Sequence, residues 1–183
     1  MAVTPLNDLR RIYDEVANSY DDMMDEEIQL PIYDQVLGEL AARIRQVDGS
    51  ILDSSCGSGH MLERMSQIHA TGRNFLGVDL SPRMVEIASQ RLGSCAQVSE
   101  SDMRELPEVK DRSCAAVISF FALHHVEIND LRRCLLTWNR VLVPDGCLLM
   151  ATWEGSGEFD FGGVFDPVTR RYAAAEIIEA AST

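Results

Sequence analysis

The residues best placed to do chemistry lie in Ile51-Leu52-Asp53-Ser54-Ser55-Cys56-Gly57-Ser58-Gly59-His60. An apolar strand ends in an acid. A run of small residues follows, with glycines at Gly57 and Gly59. A helical pattern then begins, with Met61, Met65 and Ile68 on one face. Such a strand–turn–helix junction lets the backbone approach a ligand closely. Further along, the apolar run Phe75-Leu76-Gly77-Val78 ends in Asp79. A small-residue loop paired with an acid at the end of the next strand can hold a nucleoside by its ribose hydroxyls. Gly57 and Gly59 could instead form only a tight turn. Asp79 could be a helix cap, but Ser81-Pro82 already supplies one.

The elements that must position these residues follow from periodicity. Leu9, Ile12, Tyr13, Val16 and Tyr20 recur at helical spacing,. The run Asp21 to Glu27 reads as a solvated acidic loop rather than a metal cluster,. Pro31 starts a second helix with Tyr33, Val36, Leu37, Leu40 and Ile44 inward,. From Ile51 onward strands and helices alternate. The helices run from His60 to Ala70, from Ser81 to Gly93, from Asn129 or Asp130 to Leu142, and from Tyr172 to Ala180. The strands end at Asp53, Asp79, Val98, Ser119 and Thr152. Ser156-Gly157 and Gly162-Gly163 mark a flexible loop,. This alternation predicts an α/β fold, with a parallel sheet between two helical layers. Residues 1–183 read as one domain, a helical N-terminal cap over 1–48 and a core over 49–183,.

Composition narrows the function. A net charge of −13, with Lys110 the only lysine, disfavours nucleic acid and anionic membrane as partners,. No apolar run has membrane-spanning length, and no signal-peptide core is present,. Five widely spaced cysteines without a C-x-x-C pair read as reduced thiols in a cytoplasmic protein without a metal site,.

Five elements in order resemble the class I S-adenosylmethionine-dependent methyltransferases, in particular the small-molecule type. Asp53 to Gly59 is similar to the family's D-x-G-x-G-x-G loop, with Ser55 in place of the first glycine. Asp79-Leu80-Ser81, Ser101-Asp102-Met103, Ala116 to His125, and Leu142-Val143-Pro144-Asp145-Gly146 resemble its later motifs. The resemblance implies a doubly wound Rossmann-like sheet of strand order 3-2-1-4-5 and S-adenosyl-L-methionine as cofactor. It implies cofactor contacts from Tyr20, Asp53, Ser55, Cys56, Gly57 and Gly59, from Asp79, Leu80 and Met84, and from Asp102, Met103, Ser119 and Phe120. It places a small-molecule acceptor near His124, Trp153 and Glu154. His124 and His125 suit proton transfer, but packing under the cofactor and capping of the next turn are the favoured roles, and no catalytic residue is assigned.

Two further readings stay open. A nicotinamide-dependent oxidoreductase shares the loop and the ribose acid, but its fingerprint wants a small residue at Leu62. A non-catalytic or truncated member of the fold is the other. Family members usually continue into two more strands beyond the last helix, and these are expected to be missing here. The fifth strand, apolar at Leu148, Leu149 and Met150, is then an exposed edge,. That edge is expected to form a homodimer, to be covered by the last helix through Ile177 and Ile178, or to leave the chain fragile.

Overall fold

Apolar runs that pair side by side dominate the centre of the chain. The computed structural model describes residues 3–68, 72–159 and 167–182. Its elements in chain order are α1 (Leu6–Glu27), α2 (Pro31–Arg43), β1 (Ser50–Asp53), α3 (His60–Ile68), β2 (Phe75–Asp79), α4 (Pro82–Leu92), β3 (Ala96–Glu100), β4 (Cys114–Phe120), α5 (Ile128–Val141), β5 (Leu142–Ala151), β6 (Gly157–Phe159), β7 (Thr169–Arg171) and α6 (Ala174–Ser182). The first five strands pair in parallel in the order β3-β2-β1-β4-β5. The expected α/β class and strand order are therefore present.

Residues from Cys114 to Ser119 in β4 are all buried, because helices cover both faces of the sheet,. Ile51, Ala116 and Ile118 face a core shared with α2, α3 and α4. Leu52, Val78 and Val117 face the opposite core, which contains Leu131, Leu135 and Trp138 of α5 and Ile177 of α6. Ser81 caps α4 by accepting the Met84 N–H at 3.1 Å, Pro82 opens the helix, and Gly93 ends it with φ of 53°,.

Several sequence expectations are corrected. The acidic run Asp21 to Glu27 is the last part of α1, not a loop. It is helical because cations from other elements face it. Arg91 reaches Asp21 at 2.9 Å, Asp25 at 3.1 Å and Glu63 at 3.1 Å, and His60 Nε2 lies 2.8 Å from Asp25. The Ser81 hydroxyl donates to Asp14 at 2.6 Å, and Arg10 pairs with Glu100 at 2.7 Å. Helix α5 is flanked by Glu127 rather than by Asn129 or Asp130, and Leu142 already belongs to β5. Ser156-Gly157 leads into a hairpin of β6 with β7, while Gly162 and Gly163 lie outside the described residues, as do Ala70 and Thr71. Helix α6 packs on α5 through Ile177; Ile178 is 65% exposed. Strand β5 is an edge of the five-stranded sheet, and its residues from Cys147 to Ala151 are only half-buried.

One contact sets how closely the β1–α3 loop approaches the sheet. Gly77 in β2 lies under Leu62 and Cys56, and a Cβ there would stand 3.0 Å from Leu62 Cδ1 and 3.1 Å from Cys56 Sγ. Leu62 is fully buried, so it has no free space to yield into. Gly77→Val should therefore destabilise the protein by about 1–3 kcal/mol through overpacking. Urea denaturation measures this, and an unchanged midpoint would refute the constraint.

Candidate cofactor and acceptor site

The carboxyl ends of the parallel strands meet beneath α1 and enclose a cavity of about 750 Å³, including the space at its mouth. The β1–α3 loop forms one wall. Asp79, at the end of β2, holds that loop: its Oδ2 accepts the Gly57 N–H at 2.8 Å and its Oδ1 accepts the Ser81 N–H at 3.0 Å. Each oxygen keeps lone-pair capacity for a ligand donor. Tyr20 of α1 closes the slot from above. A Cβ on Gly57 would lie 3.2 Å from the Tyr20 ring, and Gly57 has φ of 49°, so glycine serves both shape and backbone here,.

Tyr20, Ser55, Gly57, Asp79, Leu80, Met84, Asp102, Met103 and Phe120 all line this cavity. Asp53 and Cys56 line a smaller adjoining pocket that shares Tyr20, Ser55 and Phe120. Ser119 is fully buried behind the wall, its hydroxyl 3.3 Å from that of Ser55. Ser55 thus accommodates its side chain against β4. Gly59 lines neither cavity, and a Cβ there would press on Ala88 and Leu92 at 3.2–3.3 Å. It is the glycine that lets α4 approach the loop. His124 is buried and lines neither cavity itself; it stands behind His125, ring centroids 4.0 Å apart, and it is His125 that lines the larger one. Trp153 and Glu154 are exposed and line neither cavity, although Trp153 stacks 5.2 Å from Phe121, which lines both.

Sequence reasoning missed Leu6, Leu9, Arg10 and Tyr13 as lining residues: the helical spacing of Leu9 and Tyr13 marked only a face, not what it covers, and Leu6 and Arg10 lay outside that pattern. Arg104 was missed too. It grips Asp102 through Nε and Nη2, at 2.7–3.0 Å, and Asp130 at 2.9 Å. Its guanidinium pKa is raised, chiefly by the hydrogen bonds to Asp102.

The site is electrically unusual. Burial pushes the Asp53 carboxyl up to about 7, opposed by the Ser55 N–H and reinforced by Asp79. Burial raises Asp79 as well, against three backbone N–H groups. Burial likewise raises the Tyr20 hydroxyl and lowers His125, whose Nε2 lies 2.7 Å from the Tyr13 hydroxyl while its Nδ1 is buried without a partner. His124 is pushed down to about 4 by burial. Two desolvated carboxyls beside an apolar wall suit a cationic ligand with donor hydroxyls. A sulfonium nucleoside with an amino group has those properties, so the residues fit S-adenosylmethionine. Among the described residues no group of three or more His, Cys, Asp or Glu side chains could hold a metal ion.

Comparison with known proteins supports this reading. Residues 51–146 match the family described as methyltransferase domain. The chain is 33% identical over 130 residues to the Bos taurus probable tRNA methyltransferase 9B, covering 67% of this chain and 27% of that protein. It is 30% identical over 115 residues to the dTDP-4-amino-2,3,4,6-tetradeoxy-D-glucose N,N-dimethyltransferase of Saccharopolyspora spinosa, covering 63% of this chain and 45% of that protein. The chain thus spans about a quarter of the length of the first of these relatives. An S-adenosylmethionine-dependent methyltransferase from Clostridium acetobutylicum has the same fold, with a TM-score of 0.70 at 16% identity over 93% of this chain and 86% of that one. The loop, the acid that holds it, the strand order and a family match across more than half the chain converge, and the chain belongs to the class I S-adenosylmethionine-dependent methyltransferases.

Proposed function

We propose that this chain binds S-adenosylmethionine in the cavity under α1 and transfers its methyl group to a small-molecule acceptor. The observation that carries the reading is Asp79, half-buried at the end of β2, bonded to the Gly57 N–H and facing a cavity roofed by Tyr20. The bound cofactor supplies a methyl group activated by a sulfonium. The chain's own residues do the rest. Asp79 receives the ribose hydroxyls, Leu80, Met84, Asp102 and Met103 surround the base, and Gly57 and Ser55 approach the amino-acid end, with Asp53 and Cys56 behind it. Tyr20 and Phe120 exclude water, which favours displacement over side reactions. His125 is neutral at physiological pH because burial disfavours its cation, so it can accept a hydrogen bond without adding charge,.

A second reading has one specific support: a tRNA acceptor, which the name of the Bos taurus relative suggests. The net charge of −13 opposes it, because an acidic surface repels a polyanion,. The sugar acceptor in the name of the Saccharopolyspora spinosa relative favours the small molecule. A reducing, cytoplasmic compartment fits five unpaired cysteines, and among the described residues no helix is long and apolar enough to cross a membrane,. The half-buried β5 edge supports a homodimer formed there,. Sedimentation velocity should show a dimer; a monomer at high concentration would exclude this interface.

Asp79→Ala should weaken S-adenosylhomocysteine binding by roughly 1–3 kcal/mol, the cost of leaving buried donors unpaired. Asp79→Asn, which keeps an acceptor for the Gly57 N–H, should lose less. Calorimetry that finds Asp79→Ala equal to wild type would remove the ribose assignment.

Asp53 generates a pH dependence. Its pKa is raised on folding from 3.8 to about 7, so the folded form holds its proton more tightly. The stability it contributes is complete below about pH 4 and is lost as pH rises through 7. The ligand-free protein should therefore lose thermal stability between about pH 4 and 7,, and Asp53→Asn should flatten that slope. Melting curves with the same slope in both proteins would refute the assignment.

A further inference from the structure

Outside the cavity, a line of side chains leads from its mouth along the exit of β5. Phe121 has φ of 52°, a conformation disfavoured for a bulky side chain, and its N–H donates to Ala151 O at 2.8 Å. Strain of this kind concentrates at functional positions. It sets the Phe121 ring between Phe120, at 6.3 Å, and Trp153, at 5.2 Å and tilted by 36°. Trp153 is 48% exposed, whereas Trp138, the other tryptophan, is fully buried. A large exposed ring beside the cavity offers a flat apolar platform.

Two residues beyond Trp153 the backbone passes under an arginine. A Cβ on Gly155 would lie 3.1 Å from Arg171 Cδ, so the glycine makes room for that side chain. The Arg171 guanidinium stacks 4.9 Å over the Phe159 ring. Its Nε is buried and has no hydrogen-bond acceptor. Among the described residues it makes no ion pair, although Arg170 beside it pairs with Glu176 at 3.3 Å. In the hairpin Glu158 pairs in register with Arg170, and Glu154 bridges to Tyr172, so neither stands opposite Arg171. A half-buried, stacked guanidinium with an empty donor is a preformed partner for a phosphate or carboxylate.

We propose that the methyl acceptor is a small molecule with a flat ring and an anionic group, its ring resting on Trp153 and Phe121 and its anion held by Arg171. This rests on the methyltransferase reading, since the platform gains meaning from the cavity it borders. Arg170 is also stacked, over Tyr172, but is neutralised by Glu176, so the charge offered here on a chain of net charge −13 suits one anionic group rather than a nucleic-acid backbone,.

The test uses the full chain loaded with S-adenosylhomocysteine and three probes: phenyl phosphate, phenylacetate and benzyl alcohol. Binding is followed by tryptophan emission, to which exposed Trp153 responds and buried Trp138 adds a constant background. The two anionic probes should bind roughly tenfold more tightly than the neutral one, as expected for one charge-assisted contact. Phosphate and carboxylate ligands are told apart by which of the two binds better. Arg171→Gln should erase the preference, and Arg171→Lys should retain part of it. Calorimetry should show S-adenosylhomocysteine affinity unchanged in both variants, which separates this site from the cofactor site and shows that the variants fold. No preference in the wild type, or a preference that survives Arg171→Gln, would overturn the proposal. Tight, salt-sensitive binding of bulk tRNA that Arg171→Gln abolishes would assign the site to RNA and overturn it too. Failure of S-adenosylhomocysteine to bind the wild type would instead remove the methyltransferase reading, and the probe comparison would then be read on the unloaded chain.

Discussion

The carboxylate of Asp79 is the hub of the molecule. It joins the loop after β1 to the start of α4 through the N–H groups of Gly57 and Ser81. Without it, a buried loop of small residues would present unpaired backbone donors to an apolar cavity, which costs about 1–3 kcal/mol for each group. The same bonds that fix the loop oppose the protonation that burial favours. The carboxylate is thus a structural tie, and the ligand role proposed for it would use different lone pairs. Around it, Ser81 does double service: its hydroxyl accepts the Met84 N–H to start α4 and donates to Asp14 to hold α1 overhead.

Close packing supplies the second constraint. Nucleotide-binding folds commonly place a small residue on the helix after the loop, so that helix and strand can touch. Here Leu62 occupies the helix side, and the strand side yields instead, at Gly77. The exchange keeps the loop close to the sheet. It also fills the space with a branched side chain, which favours one rigid arrangement of the wall. Gly59 performs the corresponding service between the loop and α4, which is why it lies outside the cavity although it belongs to the same short motif as Gly57.

Local signals carried much of this into the sequence. Ser81 and Pro82 announce a helix start, alternating apolar runs announce a parallel sheet, and Asp53, Gly57 and Asp79 sit where strands end. What the sequence concealed depends on partners far along the chain. The acidic end of α1 looks like a loop until Arg91, some seventy positions later, is seen to meet Asp21 and Asp25. His124 and His125 are adjacent, and only the turn that follows β4 decides which of them faces the cavity. The same holds for Gly57 and Gly59, whose different neighbours come from α1 and α4.

The manner in which α1 is attached has a consequence of its own. Only Leu9, Ala17 and Met24 of this long helix are buried, while Arg10, Asp14, Asp21 and Asp25 reach across to the body through charged contacts. Hydrocarbon burial is strengthened by many salts, whereas exposed ion pairs are screened within about 10 Å at moderate ionic strength. Rising salt therefore pulls the two halves of the molecule in opposite directions. The sheet tightens and the roof loosens, so the ionic composition of the surroundings acts as a valve on the chamber beneath.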